Sequence, residues 1–242
     1  MEKQFISNRG LTYCDLGLTD YQSAWDLQHE LYHLRLKNKI GDILLLLEHP
    51  NTYTLGKAAD KSNVVATPEF IEQNGISIFE IDRGGDVTYH GPGQIVGYII
   101  MDLRDWKKDS HLFLRSIEST IMSVCNDYGI ETKREKKYTG VWVNDGKICA
   151  IGVKISRWIT MHGFAFNVNT NLDIFNGIIP CGIREKKVTS LEKGLNVKLN
   201  INDVKEKIVN QFIKEFKYQN LSVADKNEIL ELVEREKETV NE

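Results

Sequence analysis

Five consecutive aliphatic residues, Ile43-Leu44-Leu45-Leu46-Leu47, constrain this chain more than any other stretch. Successive side chains of a strand point to opposite faces, so a short unbroken apolar run reads as a strand buried on both sides. The elements around it supply the cover. Residues 20–37 read as an amphipathic helix, with Asp20 as N-cap and Trp25, Leu27, Leu31 and Leu34 on the apolar side. Residues 76–81 alternate and residues 95–101 are rich in β-branched and aromatic side chains, so both read as strands. Ser110 to Tyr128 is a helix carrying Ile117, Ile121 and Val124 on one face, with Gly129 as its stop.

Three further strands are expected at 140–143, 148–155 and 163–168, the first two joined by a hairpin turn at Asn144-Asp145-Gly146. Beyond Cys181 the chain becomes helical and charged: Val204, Ile208, Phe212 and Phe216 recur at helical spacing, and the last twenty residues form a second helix. Strands and helices mix without strict alternation or repeats. The expected fold class is α+β, a mixed, largely antiparallel sheet with flanking helices. Residues 1–200 form the main domain, and 201–242 a C-terminal helical extension packed on it.

The chain has 242 residues, 41% hydrophobic and 27% charged, with a net charge of −3. That is the balance of an ordinary globular protein, too nearly neutral for wholesale nucleic-acid or membrane binding. No stretch approaches the roughly 20 apolar residues of a membrane span. Met1-Glu2-Lys3-Gln4 lacks the order of a signal peptide, and the cytoplasm is the expected address. Cys14, Cys125, Cys149 and Cys181 stand far apart without a Cys-x-x-Cys pair, which argues against a zinc site or disulfide framework. Cys125 and Cys149 fall in apolar periodic patterns and read as small buried hydrophobes.

Two segments stand outside these patterns. Residues 82–98 hold five glycines and a proline among Arg83, Thr88, Tyr89, His90 and Gln94, a composition that brings backbone N–H groups and polar side chains close to a ligand. It is not a nucleotide loop. Gly91-Pro92-Gly93 runs into a strand rather than a helix, and no Gly-Lys-Ser/Thr is present. Farther on, Cys181 lies between Pro180 and Gly182 with no periodic pattern around it. A cysteine becomes a nucleophile beside a cation or base. His90, His162, Lys147, Lys154, Lys186 and Lys187 are all candidate partners, and composition does not choose among them.

Arg83-Gly84-Gly85-Asp86-Val87-Thr88-Tyr89-His90-Gly91-Pro92-Gly93-Gln94 resembles the signature loop of the LipB-type octanoyltransferases. The similarity continues in order through Thr139-Gly140-Val141-Trp142-Val143, Lys147-Ile148-Cys149-Ala150-Ile151-Gly152-Val153, His162-Gly163-Phe164-Ala165-Phe166-Asn167-Val168 and Pro180-Cys181-Gly182-Ile183. Upstream, Glu48-His49-Pro50 and Thr54-Leu55-Gly56 fit as well, so the resemblance spans about residues 40–192. It implies the fold of biotin and lipoate protein ligases, with 1–200 as the catalytic domain. It also implies a reaction: an octanoyl group passes from the phosphopantetheine thioester of acyl carrier protein to a cysteine, then to a lysine of a lipoyl domain. Such domains belong to 2-oxoacid dehydrogenases and the glycine-cleavage H protein.

Carried over residue by residue, the resemblance implies Cys181 and Lys147 as the catalytic pair. It implies residues 83–90 (Arg83 to His90), Ala150, Ile151, Gly152, Gly163, Phe164 and Ala165 as the acyl-binding residues, with His162 shaping the pocket. No ATP, metal or other cofactor is expected. Phe166, where leucine is frequent, and Ala150, where serine also occurs, depart conservatively from the pattern and bear on acyl length. Lys133-Arg134-Glu135-Lys136-Lys137, with Lys186-Lys187, reads as a basic docking patch for acidic carrier domains or as a solvated charged loop. Three other readings compete: an ATP-dependent lipoate or biotin ligase, a silent carrier-binding scaffold, and a cysteine hydrolase. The ligases' own loops are missing, and no Cys-His-Asn/Asp arrangement is recognisable.

Overall fold

The apolar run is the centre of the architecture. In a computed structural model, which describes residues 9–136, 138–179 and 187–238, Ile43 to Leu47 are at most 1% exposed. They sit in a nine-stranded sheet with helices on both faces, mixed in direction and largely antiparallel.

In chain order the elements are β1 (Gly10–Leu18), α1 (Tyr21–Leu36), β2 (Asp42–Glu48), β3 (Thr52–Leu55), α2 (Pro68–Gln73), β4 (Ser77–Glu80), β5 (Val87–His90) and β6 (Gln94–Ile100). There follow α3 (Ser110–Asp127), β7 (Lys133–Glu135), β8 (Tyr138–Val143), β9 (Gly146–Ser156) and β10 (Ile159–Asn167). The chain ends with β11 (Lys187–Val188), α4 (Leu191–Leu195), α5 (Ile201–Phe216), β12 (Asn220–Ala224) and α6 (Lys226–Glu238). The main sheet runs β12-β1-β2-β6-β10-β9-β8-β7, with β11 added to β9. Strands β12, β1 and β2 are parallel, and every pairing from β2 through to β7 is antiparallel.

Alternation along β2 divides the core. Leu44 and Leu46 pack with Ile117, Ile121, Phe212 and Phe216 of α3 and α5. Ile43, Leu45 and Leu47 pack with Leu27, Leu31, Ile229 and Val233 of α1 and α6. The Asp20 carboxylate accepts the Ser23 N–H at 3.0 Å, the N-cap bond its position implies. A second sheet, β4-β3-β5, packs with Ile174 and Phe175 from a 3₁₀ turn at Leu172–Gly177.

Three local expectations differ from what is found. Residues 82–98 are not one loop, because Val87–His90 pairs with β3 as β5. The β8–β9 turn is two residues, Asn144 and Asp145, with Asn144 at φ +50° and Gly146 already the first residue of β9. The strand expected at 163–168 begins earlier, at Ile159, so His162 lies inside β10.

The C-terminal segment adds a strand as well as helices. β12 pairs in register with β1, Gly10 opposite Asn220 and Cys14 opposite Ala224. The Tyr218 hydroxyl donates to the buried Asp42 carboxylate at 2.8 Å, which also receives Arg9 and Arg35. No helix among the described residues is long and apolar enough to cross a membrane.

Candidate active site

A cavity of about 340 Å³ opens between the two sheets, within the roughly 300–1,000 Å³ usual for small-molecule sites. Lys147 stands on β9, half-buried, with Nζ 4.9 Å from the centre of the Trp142 ring. Gly140 lets β8 pass close to β9: its φ is +135°, and a Cβ there would lie 2.6 Å from the Cys149 carbonyl oxygen, while Cε of Lys147 would stay at an ordinary contact of 3.5 Å. The Gly140 N–H donates to Glu118 at 3.1 Å. Glu118 is fully buried on α3 and also receives Arg115 at 2.7 Å and Arg134 at 2.8 Å. The carboxylate thus ties helix, edge strand and the neighbour of Lys147 together.

From Lys147 the cavity follows β9 and β10, walled by 150–153 and 163–165. The loop after β4 crosses it: the Gly84 N–H donates to the Val153 carbonyl at 3.0 Å. Gly152 permits the crossing, since a Cβ there would meet Gly84 O and Arg83 Cδ at 3.0 Å. The loop is fixed by backbone bonds from Lys57 to Arg83 O and from Ala58 to Gly85 O. The buried Arg83 guanidinium donates to the Thr54 carbonyl and hydroxyl, both at 2.9 Å.

Beyond this crossing the lining turns polar but uncharged on its histidines. His49 lies behind Tyr98: its Nδ1 faces the Thr19 carbonyl and so carries the proton, leaving Nε2 to accept from the Tyr98 hydroxyl at 2.7 Å. Burial pushes the His49 pKa down to about 4. His90 Nδ1 donates to Gln94 Oε1 at 2.9 Å, because the Gln94 amide nitrogen is already committed to Tyr89 O and Asn167 Oδ1. Burial holds His90 well below the ordinary histidine value and lowers His162 as well. His162 Nε2 faces Asp82 Oδ1 at 2.9 Å, and Lys154 bonds the other oxygen. That histidine hydrogen bond, with the lysine, keeps Asp82 below the usual carboxylate range despite partial burial.

The sequence-derived candidates distribute as follows. Lys147, residues 83–88, His90, 150–152 and 163–165 line the cavity. Tyr89 does not: its side chain is buried against Tyr53 and Phe175, and its hydroxyl donates to Asn51 at 2.8 Å. β5 alternation turns it away from its neighbours Thr88 and His90. Cys181 lies outside the described residues, as do Lys186 and Lys137; Lys187 begins β11. The chain resumes on the strand of Lys147, Val188 pairing with Lys147 and the Thr189 N–H donating to Lys147 O at 3.0 Å. Lys154 bonds Asp82, seven residues along β9 from Lys147.

Tyr21, Val96, Tyr98, Leu114, Tyr138 and Phe175 also line the cavity without having been singled out. For Tyr98 the signal was available as a hydroxyl inside an otherwise apolar strand. Tyr21 and Leu114 sit on helices whose pattern reads simply as core.

The chain matches the model of the lipoyl protein ligase A/B catalytic domain over residues 20–213. It is 48% identical over 226 residues to an octanoyltransferase of Caldicellulosiruptor saccharolyticus, covering 92% of this chain and 96% of the relative. It is 52% identical over 198 residues to an octanoyltransferase of Rubrobacter xylanophilus, covering 81% and 89%. Among solved structures, a lipoate-protein ligase A bound with ATP superposes with a TM-score of 0.70 at 14% identity, covering 94% of this chain and 93% of that one. P. falciparum LipL1 in complex with lipoate gives 0.67 at 18%, covering 93% and 70%. At these identities the superpositions speak for the fold alone, that of the lipoate and biotin protein ligases. The chain belongs to the lipoyl protein ligase A/B catalytic domain family.

Proposed function

We propose that this protein is an octanoyltransferase of lipoate biosynthesis, working in the cytoplasm. It takes an octanoyl group from the phosphopantetheine thioester of acyl carrier protein and delivers it to a lysine of a lipoyl domain. Lipoyl domains of 2-oxoacid dehydrogenases and the glycine-cleavage H protein are the acceptors. The observation that carries the reading is the near full-length similarity to proteins named octanoyltransferase. The cavity supports it: an apolar slot starts beside a lysine, and Phe175 and Val188, on either side of the 180–186 segment, both line it.

In this reading the Cys181 thiolate attacks the octanoyl carbonyl, and the carbon–sulfur bond to phosphopantetheine breaks as its thiolate takes the proton of the Lys147 ammonium and leaves as a thiol. The acceptor amine then attacks the Cys181 thioester, the amide forms, and Cys181 departs as thiolate. Lys147 as an ammonium favours the thiolate; once neutral it takes the proton shed by the attacking amine, help worth about 10²–10⁴-fold. Thiol exchange is nearly balanced in energy, so formation of the amide drives the sequence. Backbone N–H groups of the glycine-rich segments stabilise the oxyanion. Neither ATP nor a metal takes part.

Mass spectrometry after mixing with octanoyl-acyl carrier protein tests this. An octanoyl adduct on Cys181 without ATP, absent in Cys181→Ser, is the expected result; transfer that demands ATP and proceeds in Cys181→Ser identifies a ligase instead. For the carrier dock, Arg134 is already held by Glu118, which leaves the exposed Lys136 as the basic group to reverse. An unchanged salt dependence of the Michaelis constant in Lys136→Glu would remove that dock.

A further inference from the structure

We propose that His162 is the stop of the acyl slot, the residue that sets the longest chain the site accepts; this rests on the octanoyltransferase reading above. Three observations converge on it.

The first is position. His162 pairs with Val153, six residues along β9 from Lys147, and at about 3.3 Å per residue the two ends lie roughly 20 Å apart along the strand. The reach of the lysine side chain takes up part of that length. An extended octanoyl chain spans about 9 Å, because bonds of about 1.5 Å each advance a zigzag by about 1.25 Å, so its methyl group arrives short of the imidazole. A chain several methylenes longer meets the ring.

The second is rigidity. His162 is 2% exposed and holds φ at +59°, a left-handed conformation that a non-glycine residue rarely adopts within a strand. Its N–H donates to Oε1 of the fully buried Gln28 on α1 at 2.8 Å. Its ring is fixed by Asp82, which Lys154 holds in turn, and packs edge-on to Tyr98 at 6.1 Å. Three separate elements therefore fix one residue: α1 holds its backbone, and the loop after β4, braced by β9, holds its ring. A stop has to resist displacement by about 0.8 kcal/mol for each methylene seeking burial, and a strained residue persists only where its surroundings over-determine it.

The third is the change of chemistry. The slot is apolar along 150–153 and 163–165, whereas the His162 ring lies against Tyr98 and the Asp82 carboxylate. Methylenes pushed among buried hydrogen-bonded groups lose the gain that drives their burial.

The test replaces His162 by residues that take a positive φ without added strain, His162→Gly and His162→Asn. Isothermal titration measures octanoic, decanoic and dodecanoic acid binding to each protein, and kcat/KM is compared for octanoyl- and dodecanoyl-acyl carrier protein. The wild type is expected to bind octanoic and decanoic acid and to discriminate against dodecanoic acid. His162→Gly is expected to shift the dodecanoyl-to-octanoyl ratio at least tenfold toward the longer chain, in affinity and in kcat/KM, and His162→Asn by less in the same direction. A folded variant of either kind that binds octanoic acid with an unchanged ratio overturns the stop while leaving octanoyl transfer standing. A wild type that takes neither acyl group from acyl carrier protein overturns the transferase reading, and the stop with it.

Discussion

Glu118 shows how much one residue can organise. Its buried carboxylate receives the Gly140 N–H and two arginines, and Gly140 is the residue whose missing Cβ lets β8 approach the Cys149 carbonyl of β9. Truncation to Glu118→Ala strands a backbone N–H, and the loss is softened because both arginines are partly exposed. A destabilisation of about 2–4 kcal/mol is expected from urea unfolding. A fall in kcat should accompany it as the β8–β9 pairing beside Lys147 loosens. Nothing in the local sequence marks this residue. Glu118 falls on a helix and reads as one more charged position, while its partners are brought to it from residues 134 and 140. In the neighbouring basic cluster Lys133–Glu135 is an edge strand, β7, with Arg134 held by Glu118 and Lys133 paired with Glu135 at 3.5 Å.

At the scale of elements, α5 was legible from its period. Val204, Ile208, Phe212 and Phe216 are all fully buried, as their spacing requires. Phe212 and Phe216 stack at 4.3 Å, and Phe216 meets Phe113 of α3 at 5.9 Å. Phe212→Ala is expected to cost about 3–5 kcal/mol, read as a lower urea midpoint with an unchanged slope. Strand β12 was not legible. Asn220–Ala224 is short, mostly exposed, and paired with β1 some 210 positions away. Parallel pairing over that separation leaves no periodic trace in either strand, and the helices on both sides of it dominate the pattern. Strand β5 was hidden for a related reason: four residues between two glycine-rich turns become a strand only because β3 offers them an edge.

At the scale of the molecule, three neutral histidines are buried at one end of the cavity, and this couples folding to pH. An unfolded histidine titrates near 6.5, whereas His49 in the folded protein titrates at about 4. Between these values the unfolded chain binds more protons, so stability falls as the pH is lowered from about 6.5 and levels off near 4. His49 alone accounts for about 3 kcal/mol. His90 and His162 are depressed in the same direction by burial and steepen the fall. Asp82, held below the usual carboxylate range, contributes above about pH 4 and its contribution is lost at still lower pH. Urea unfolding at pH 7, 5.5 and 4.5 should show this slope, and His49→Gln should flatten it. An equally steep slope in that variant would remove His49 as its source.

The sequence by itself determined the layered α+β class, because an unbroken aliphatic run needs cover on both faces, and it determined the caps and periods of the principal helices. Its ordered motifs also picked out the segments that come to line the cavity. Those properties are local, or carried by motifs that stay contiguous along the chain. Tertiary structure alone decided that Tyr21, Tyr98 and Leu114 join those segments, that Tyr89 turns away, and that Lys147 and His162 line one cavity. A strand's direction, a helix's approach and a buried carboxylate's partners depend on which distant edge each segment meets, and no spacing within a segment records that.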